Sequence, residues 1–216
     1  MKAGKCLIVS GGELTDPAFY KKELAKMDFI IAVDGGARHT STLGLTPQLV
    51  LGDFDTLTEV EQVVLEERRV KLERYPSSKD FTDTHLALLK AVQLGYTDIT
   101  IITALGGRLD HTLANIMLLA LPEASQVSLR ILDEKEQIFL VRDELFLEGE
   151  PGMTISLLPL SEKVTGIKTD GLKYQVPQNT FIMGIPRGIS NVMTEKQVRI
   201  QVETGLLLAI IPKNER

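Results

Sequence analysis

Two aspartates with one residue between them, at the end of an apolar run, are the strongest chemical feature of this sequence. Leu49-Val50-Leu51-Gly52 leads into Asp53-Phe54-Asp55-Thr56. In extended backbone, side chains at i and i+2 point to the same side, so Asp53 and Asp55 are expected to project together from a strand end. Hard divalent cations take oxygen ligands, and Mg2+ is typically held by one or two carboxylates plus substrate phosphates. Two more acid-bearing stretches follow, Lys79-Asp80-Phe81-Thr82-Asp83 and Arg108-Leu109-Asp110-His111, each just ahead of a helical pattern. The expectation is that these stretches converge, with Asp53, Asp55, Asp80 and Asp83 around one divalent metal and a polyphosphate. Gathering carboxylates is costly without a cation, and a bound metal is the natural compensation.

Each candidate also has a plainer reading. Asp53 and Asp55 could be solvated loop residues ahead of a helix capped by Thr58. Asp80 and Asp83 resemble a capping box, and Asp110 could be an N-cap. Lys79 offers a point charge for phosphate, and Arg108 a planar fork. Gly106-Gly107 would let backbone N–H groups approach an anion. His111 and Asn115 are four apart and could face the site together. Ser190 and Asn191, in a Gly- and Pro-containing stretch, could be turn formers or neutral hydrogen-bonding groups for a small polar ligand. No Gly-x-Gly-x-x-Gly or Walker-type Gly-Lys-Ser/Thr occurs, so an ATP site here would not be a P-loop. His39, His85 and His111 lack the spacing of a zinc site.

The elements that must position these residues alternate. Apolar runs at 5–10, 29–33, 49–51, 70–75 and 98–103 read as strands, and helical patterns lie between them and over 110–121. Asp16-Pro17 reads as an N-cap followed by proline at the first helical position. Such alternation implies a mostly parallel sheet covered on both faces, with ligands at the carboxyl ends of its strands. Asp34-Gly35-Gly36, the Asp53 loop and Gly106-Gly107-Arg108 all fall on that edge. Beyond about Gln126 the helices stop. Short β segments at 127–132, 137–141, 153–158, 164–168, 173–176, 197–203 and 206–211 predict a second, all-β domain, a small sandwich. The expected division is 1–133 and 134–216.

With 216 residues and 44% hydrophobic content, the chain can bury a sizeable core. A net charge of -5 and scattered basic residues argue against broad nucleic-acid binding. No apolar run approaches membrane-spanning length, and Leu7-Ile8-Val9 is too short for a signal peptide. The single cysteine, Cys6, excludes an internal disulfide, and a reduced, cytoplasmic setting is expected.

The ordered set Val33-Asp34-Gly35-Gly36-Ala37, Gly52-Asp53-Phe54-Asp55, Lys79-Asp80-Phe81-Thr82-Asp83, Gly106-Gly107-Arg108-Leu109-Asp110-His111 with Asn115, and Ser190-Asn191 resembles the thiamin pyrophosphokinase family. The resemblance implies a Rossmann-like α/β catalytic domain that binds ATP and Mg2+, then a β-sandwich domain for thiamin binding and dimerisation. It also implies a homodimer with active sites between subunits, and thiamin diphosphate and AMP as products. By the same resemblance Asp53, Asp55, Asp80 and Asp83, with Lys79, surround the metal and the reacting phosphates. Asp34, Gly35, Gly36, Arg108, Asp110, His111 and Asn115 serve the nucleotide, and Ser190, Asn191 and Tyr174 meet thiamin. His85 stands where many relatives carry an acid. Asp53-Phe54-Asp55-Thr56-Leu57 also resembles the aspartyl-nucleophile motif of haloacid-dehalogenase-like phosphatases, although that motif normally follows the first strand. A non-catalytic nucleotide or thiamin sensor is the third reading.

Overall fold

In the computed structural model, residues 2–24, 27–78 and 80–213 are described. The chain divides into two compact units, Met1–Glu134 and Lys135–Arg216.

The first unit alternates β1 (Lys2–Val9), α1 (Pro17–Glu23), β2 (Phe29–Val33), α2 (Gly36–Leu43), β3 (Leu49–Gly52), α3 (Glu59–Glu67), β4 (Lys71–Arg74), α4 (Asp83–Gln93), β5 (Tyr96–Ile102), α5 (Leu109–Met117) and β6 (Ser128–Leu132). The six strands lie in the order β6-β5-β1-β2-β3-β4, every pairing parallel. Parallel strands covered on both faces are expected to be near-continuous apolar runs where they are buried. Accordingly Cys6, Leu7, Ile8 and Val9 are all fully buried. Leu7 and Val9 share a cluster with Tyr20, Leu24 and Leu43 from the α1 and α2 side. Cys6 and Ile8 alternate to the opposite face, against which α4 packs. Burial pushes the Cys6 thiol up to about 12, which marks it as a core residue.

Local signals set the helix starts. Asp16 caps α1 by accepting from the N–H groups of Ala18 and Phe19, with Pro17 at the first helical position. Thr58 and Glu61 form a reciprocal capping box on α3. Two expected caps are corrected. Thr82, not Asp80, caps α4, and Asp83 is its first helical residue. Arg108 is the N-cap residue of α5, without a side-chain cap bond, and Asp110 lies inside the first turn.

The strand order reverses between β1 and β5, which opens a crevice at their carboxyl ends. Non-glycine residues at positive φ collect on this edge: Asp34 at 44°, Phe54 at 62° and Thr103 at 50°. Strained backbone of this kind persists where surrounding contacts over-determine it, and it clusters at functional sites.

The second unit is antiparallel. β7 (Glu136–Val141), β9 (Thr154–Pro159), β13 (Asn191–Val192) and β15 (Leu207–Pro212) form one sheet in the order β13-β9-β15-β7. β8 (Glu144–Glu148), β11 (Lys168–Asp170) and β14 (Gln197–Gln201) form another, and β10 (Lys163–Thr165) pairs with β12 (Thr180–Ile182). Val141, Leu157, Leu207, Val198, Ile200 and Phe181 meet in one core, so the sheets face each other as a small sandwich. The single strand expected over 164–168 is two short ones, broken at Gly166. The segment 173–176 is not a strand. Among the described residues, no helix is long and apolar enough to cross a membrane.

Candidate active site

Asp34 and the acidic loop meet because β2 and β3 are paired neighbours. Gly52 ends β3 at φ 155°, and a Cβ there would lie 3.0 Å from the Cβ of Asp34, so close approach of the two loops requires glycine. Phe54 is only 5% exposed and packs with Ala32, Val50, Leu57 and Leu65. With the ring anchored inward, Asp53 stays half-buried and Asp55 is exposed.

Carboxylate oxygens of Asp34, Asp53 and Asp55 all lie within 4.8 Å of one another. Thr56 Oγ1 donates to Asp34 Oδ2 at 2.7 Å. Asp34 Oδ1 is a buried oxygen without a hydrogen-bond partner among the described residues. The charge of Asp53, then desolvation and Asp34, holds the Asp55 carboxyl above the usual carboxylate range. An all-oxygen, anionic donor set with an orphaned inward oxygen fits a hard divalent cation.

A consequence for stability follows. A carboxyl whose folded pKa is raised favours the fold at low pH, and that contribution is lost as pH rises through the folded value. The metal-free site is therefore strained by repulsion at pH 7, and a divalent cation should relieve it. At a concentration ten times its pH 7 Kd, Mg2+ is expected to raise Tm by about 3–5 °C at pH 7, and the same concentration by much less near pH 4. Thermal melts at both pH values check this, and equal shifts would contradict it.

The other expected acids are placed differently. Asp80 is exposed and Asp83 half-buried. Neither belongs to the three-carboxylate group, which takes in Asp34 instead. The start of α4 is docked on the end of β1 through Thr84 Oγ1 and Ser10 Oγ, 2.8 Å apart. His85 meets the Phe81 ring edge-on. Lys79 lies outside the described residues.

In the loop after β5, the Gly107 N–H donates to Glu13 Oε1 at 3.1 Å. Arg108 makes a two-pronged ion pair with Asp110, at 2.6 and 3.1 Å, which holds the Asp110 carboxyl low. Both side chains are well exposed. His111 is exposed, whereas Asn115 is buried and donates to the Ala104 carbonyl at 2.8 Å. The pair therefore does not present one ligand face, because the Asn115 amide is occupied in shaping its own loop.

In the second unit, Asn191 Oδ1 accepts from the Tyr174 N–H and its Nδ2 donates to the Tyr174 carbonyl. This main-chain embrace replaces the strand expected at 173–176. It leaves the Tyr174 ring half-exposed, with the Lys173 ammonium 5.2 Å from its centroid. Ser190, at φ 56°, donates its N–H to Ser156 Oγ at 3.1 Å.

A family model described as thiamin pyrophosphokinase, catalytic domain, matches residues 20–131, and one described as thiamin pyrophosphokinase, vitamin B1 binding domain, matches residues 143–207. The chain belongs to the thiamin pyrophosphokinase family. The thiamine pyrophosphokinase of Bacillus subtilis is 30% identical over 187 residues, covering 83% of this chain and 85% of the relative. The crystal structure of the Bacillus subtilis enzyme superposes with a TM-score of 0.86 at 28% identity, covering 98% of this chain and 100% of that one. That of the thiamin pyrophosphokinase of Geobacillus thermodenitrificans gives 0.83 at 26% identity, with 98% of each chain covered. Nothing in these matches supports the phosphatase or the sensor reading. Within the thiamin pyrophosphokinase frame, the acidic triad lies in the part matched by the catalytic model, and Tyr174, Ser190 and Asn191 lie in the part matched by the vitamin B1 binding model.

Sequence reasoning placed Asp34 with the nucleotide; the signal for its membership of the acidic group was its position just after a buried strand adjoining β3. It missed Arg38 and Arg74. Arg74 becomes visible only once β4 is paired with β3, where it stands opposite Gly52.

Proposed function

We propose that this family member transfers the pyrophosphoryl group of ATP to the hydroxyethyl oxygen of thiamin, with Asp34, Asp53 and Asp55 as the centre of its chemistry. The observation that carries the site assignment is the gathering of those three carboxylates at the carboxyl edge of the sheet. A divalent cation, Mg2+ in our reading, would be held there by Asp53 and Asp55 with Asp34; when bound, it neutralises polyphosphate oxygens. The bond formed joins the thiamin oxygen to the β-phosphorus, and the bond broken releases AMP with the electron pair. Such transfers depend on positioning and charge neutralisation more than on covalent help from the protein.

The residues of the chain then have separable tasks. One of Asp53, Asp55 and Asp83 would accept or orient the hydroxyl proton. Arg108 would leave Asp110 for phosphate oxygens, and the Gly106-Gly107 amides, with Asp110, Gly35, Gly36 and His111, would border the nucleotide. Asn115 would act by shaping that loop. Asp80 and Asp83 would face the cation-bridged polyphosphate from the start of α4, and Lys79 would supply positive charge to phosphate oxygens. Tyr174 would offer its ring to the cationic thiazolium, and Ser190 and Asn191 would shape the same surface. A homodimer with sites shared between subunits and a cytoplasmic setting complete the reading. Incubation with ATP, Mg2+ and thiamin is expected to yield thiamin diphosphate and AMP in equal amounts by mass analysis. ATP consumption without thiamin diphosphate would overturn the assignment.

A further inference from the structure

The acidic loop is held from outside by two polar chains that end on the first turn of α3. In the first, Arg74 Nη1 donates to the Asp53 carbonyl at 2.9 Å and Nη2 donates to Gln62 Oε1 at 2.9 Å. Gln62 Nε2 in turn donates to the Leu57 carbonyl at 3.0 Å. One continuous line of hydrogen bonds thus joins the carbonyls at the two ends of residues 53–57. The Arg74 guanidinium also lies 4.9 Å from the Phe54 ring centroid, covering the residue whose left-handed backbone separates the two acids. In the second chain, Arg38 donates through Nη2 to the Thr56 carbonyl and grips Glu61 with Nε and Nη2 at 2.6 and 2.9 Å. Glu61 is itself fixed by the N–H and hydroxyl of Thr58.

We propose that Gln62 and Arg74, with Arg38 and Glu61, form a clasp that sets the spacing of Asp53 and Asp55, making Gln62 a positioning residue for cation binding. The proposal rests on the reading of Asp53 and Asp55 as cation ligands. Its geometry is specific: the guanidinium groups bond to main-chain carbonyls of the loop, so they fix the backbone from which the acids project. Gln62 is neutral, so replacing it alters no charge. A change in cation affinity in a Gln62 variant therefore reports on loop geometry and not on the local field.

The test is titration of the full-length folded protein with Mn2+ alone, without nucleotide, followed by electron paramagnetic resonance. Gln62→Leu keeps the bulk and loses both hydrogen bonds; it is expected to weaken Mn2+ binding about tenfold, the scale of losing a group that orients a metal ligand. Thiamin-dependent AMP release by the same variant should need correspondingly more cation for half-maximal rate, with the thiamin KM unchanged. Arg74→Lys retains the charge but cannot reach Asp53 and Gln62 together, and it should weaken Mn2+ binding in the same direction; it also stands in if Gln62→Leu does not fold. Asp53→Asn is the control for the ligand reading and should abolish saturable binding. If Asp53→Asn loses Mn2+ while the folded clasp variants bind within about twofold of the unaltered protein, the clasp is overturned and the ligand reading stands. If Asp53→Asn binds Mn2+ as the unaltered protein does, the ligand reading fails and the clasp fails with it.

Discussion

Asp55→Asn is expected to lower thiamin-dependent AMP release by about a thousandfold while leaving a folded protein, a loss on the scale of removing one preorganised charge-stabilising group. Asparagine keeps the size of the side chain but neither accepts a proton nor contributes charge to a cation. Asp55 is exposed, so no core contact is lost. Its carboxyl is held high chiefly by Asp53, and neutralising it removes repulsion from the cation-free site. The variant should therefore melt at or slightly above the temperature of the unaltered protein without cation, and it should gain less from added Mg2+. Paired melting curves and AMP assays separate the two effects. Unchanged turnover in a folded Asp55→Asn protein would remove this residue from the chemistry.

Gly36→Ala is expected to cost about 3 kcal/mol of stability, a Tm loss of about 6–12 °C. A Cβ at Gly36 would lie 2.3 Å from the Val9 carbonyl oxygen and 2.7 Å from that of Ser10. Both are backbone atoms, so the first turn of α2 must move off the end of β1. Gly35 provides the contrast. Its backbone is already helical, with φ -54°, and a Cβ would meet only the Thr56 side chain, with Oγ1 at 3.1 Å. Gly35→Ala should change stability by less than about 1 kcal/mol. Thermal melts of the two variants decide the matter; equal losses would refute this account of Gly36. The family resemblance assigns both glycines to the nucleotide, yet the second has a packing reason of its own.

The α/β layer was legible because periodicity and caps agree along most of it. Apolar runs marked β1, β2, β3 and β5, and Asp16-Pro17 and Thr58 marked two helix starts found in the fold. Asp53 and Asp55 were legible as a pair for the same reason, since the end of a strand dictates where the next residues point. The partnership with Asp34 was harder to see, because it depends on which strands are neighbours. At the start of α4, Thr82 competes with Asp80 for the same cap, and a hydroxyl next to the first helical residue wins. The β unit was legible as a class and less so in detail. Gly166 breaks one expected strand, and the Asn191 amide takes the Tyr174 main-chain groups out of another. Those outcomes depend on contacts between distant residues, which local pattern does not carry.

The strand order of the first unit also has a bearing on biosynthesis. β2, β3 and β4 can add to β1 in the order in which the ribosome delivers them, whereas the other neighbour of β1 is β5, made only after α4. The β1 strand, apolar over Cys6–Val9, thus keeps one flank open while residues up to Tyr96 are translated. Pairings between remote segments form slowly, and uncovered strand edges invite aggregation. The nascent chain is consequently most exposed to misassociation in that interval, and its demand on chaperones should ease once Ile102 has cleared the exit tunnel.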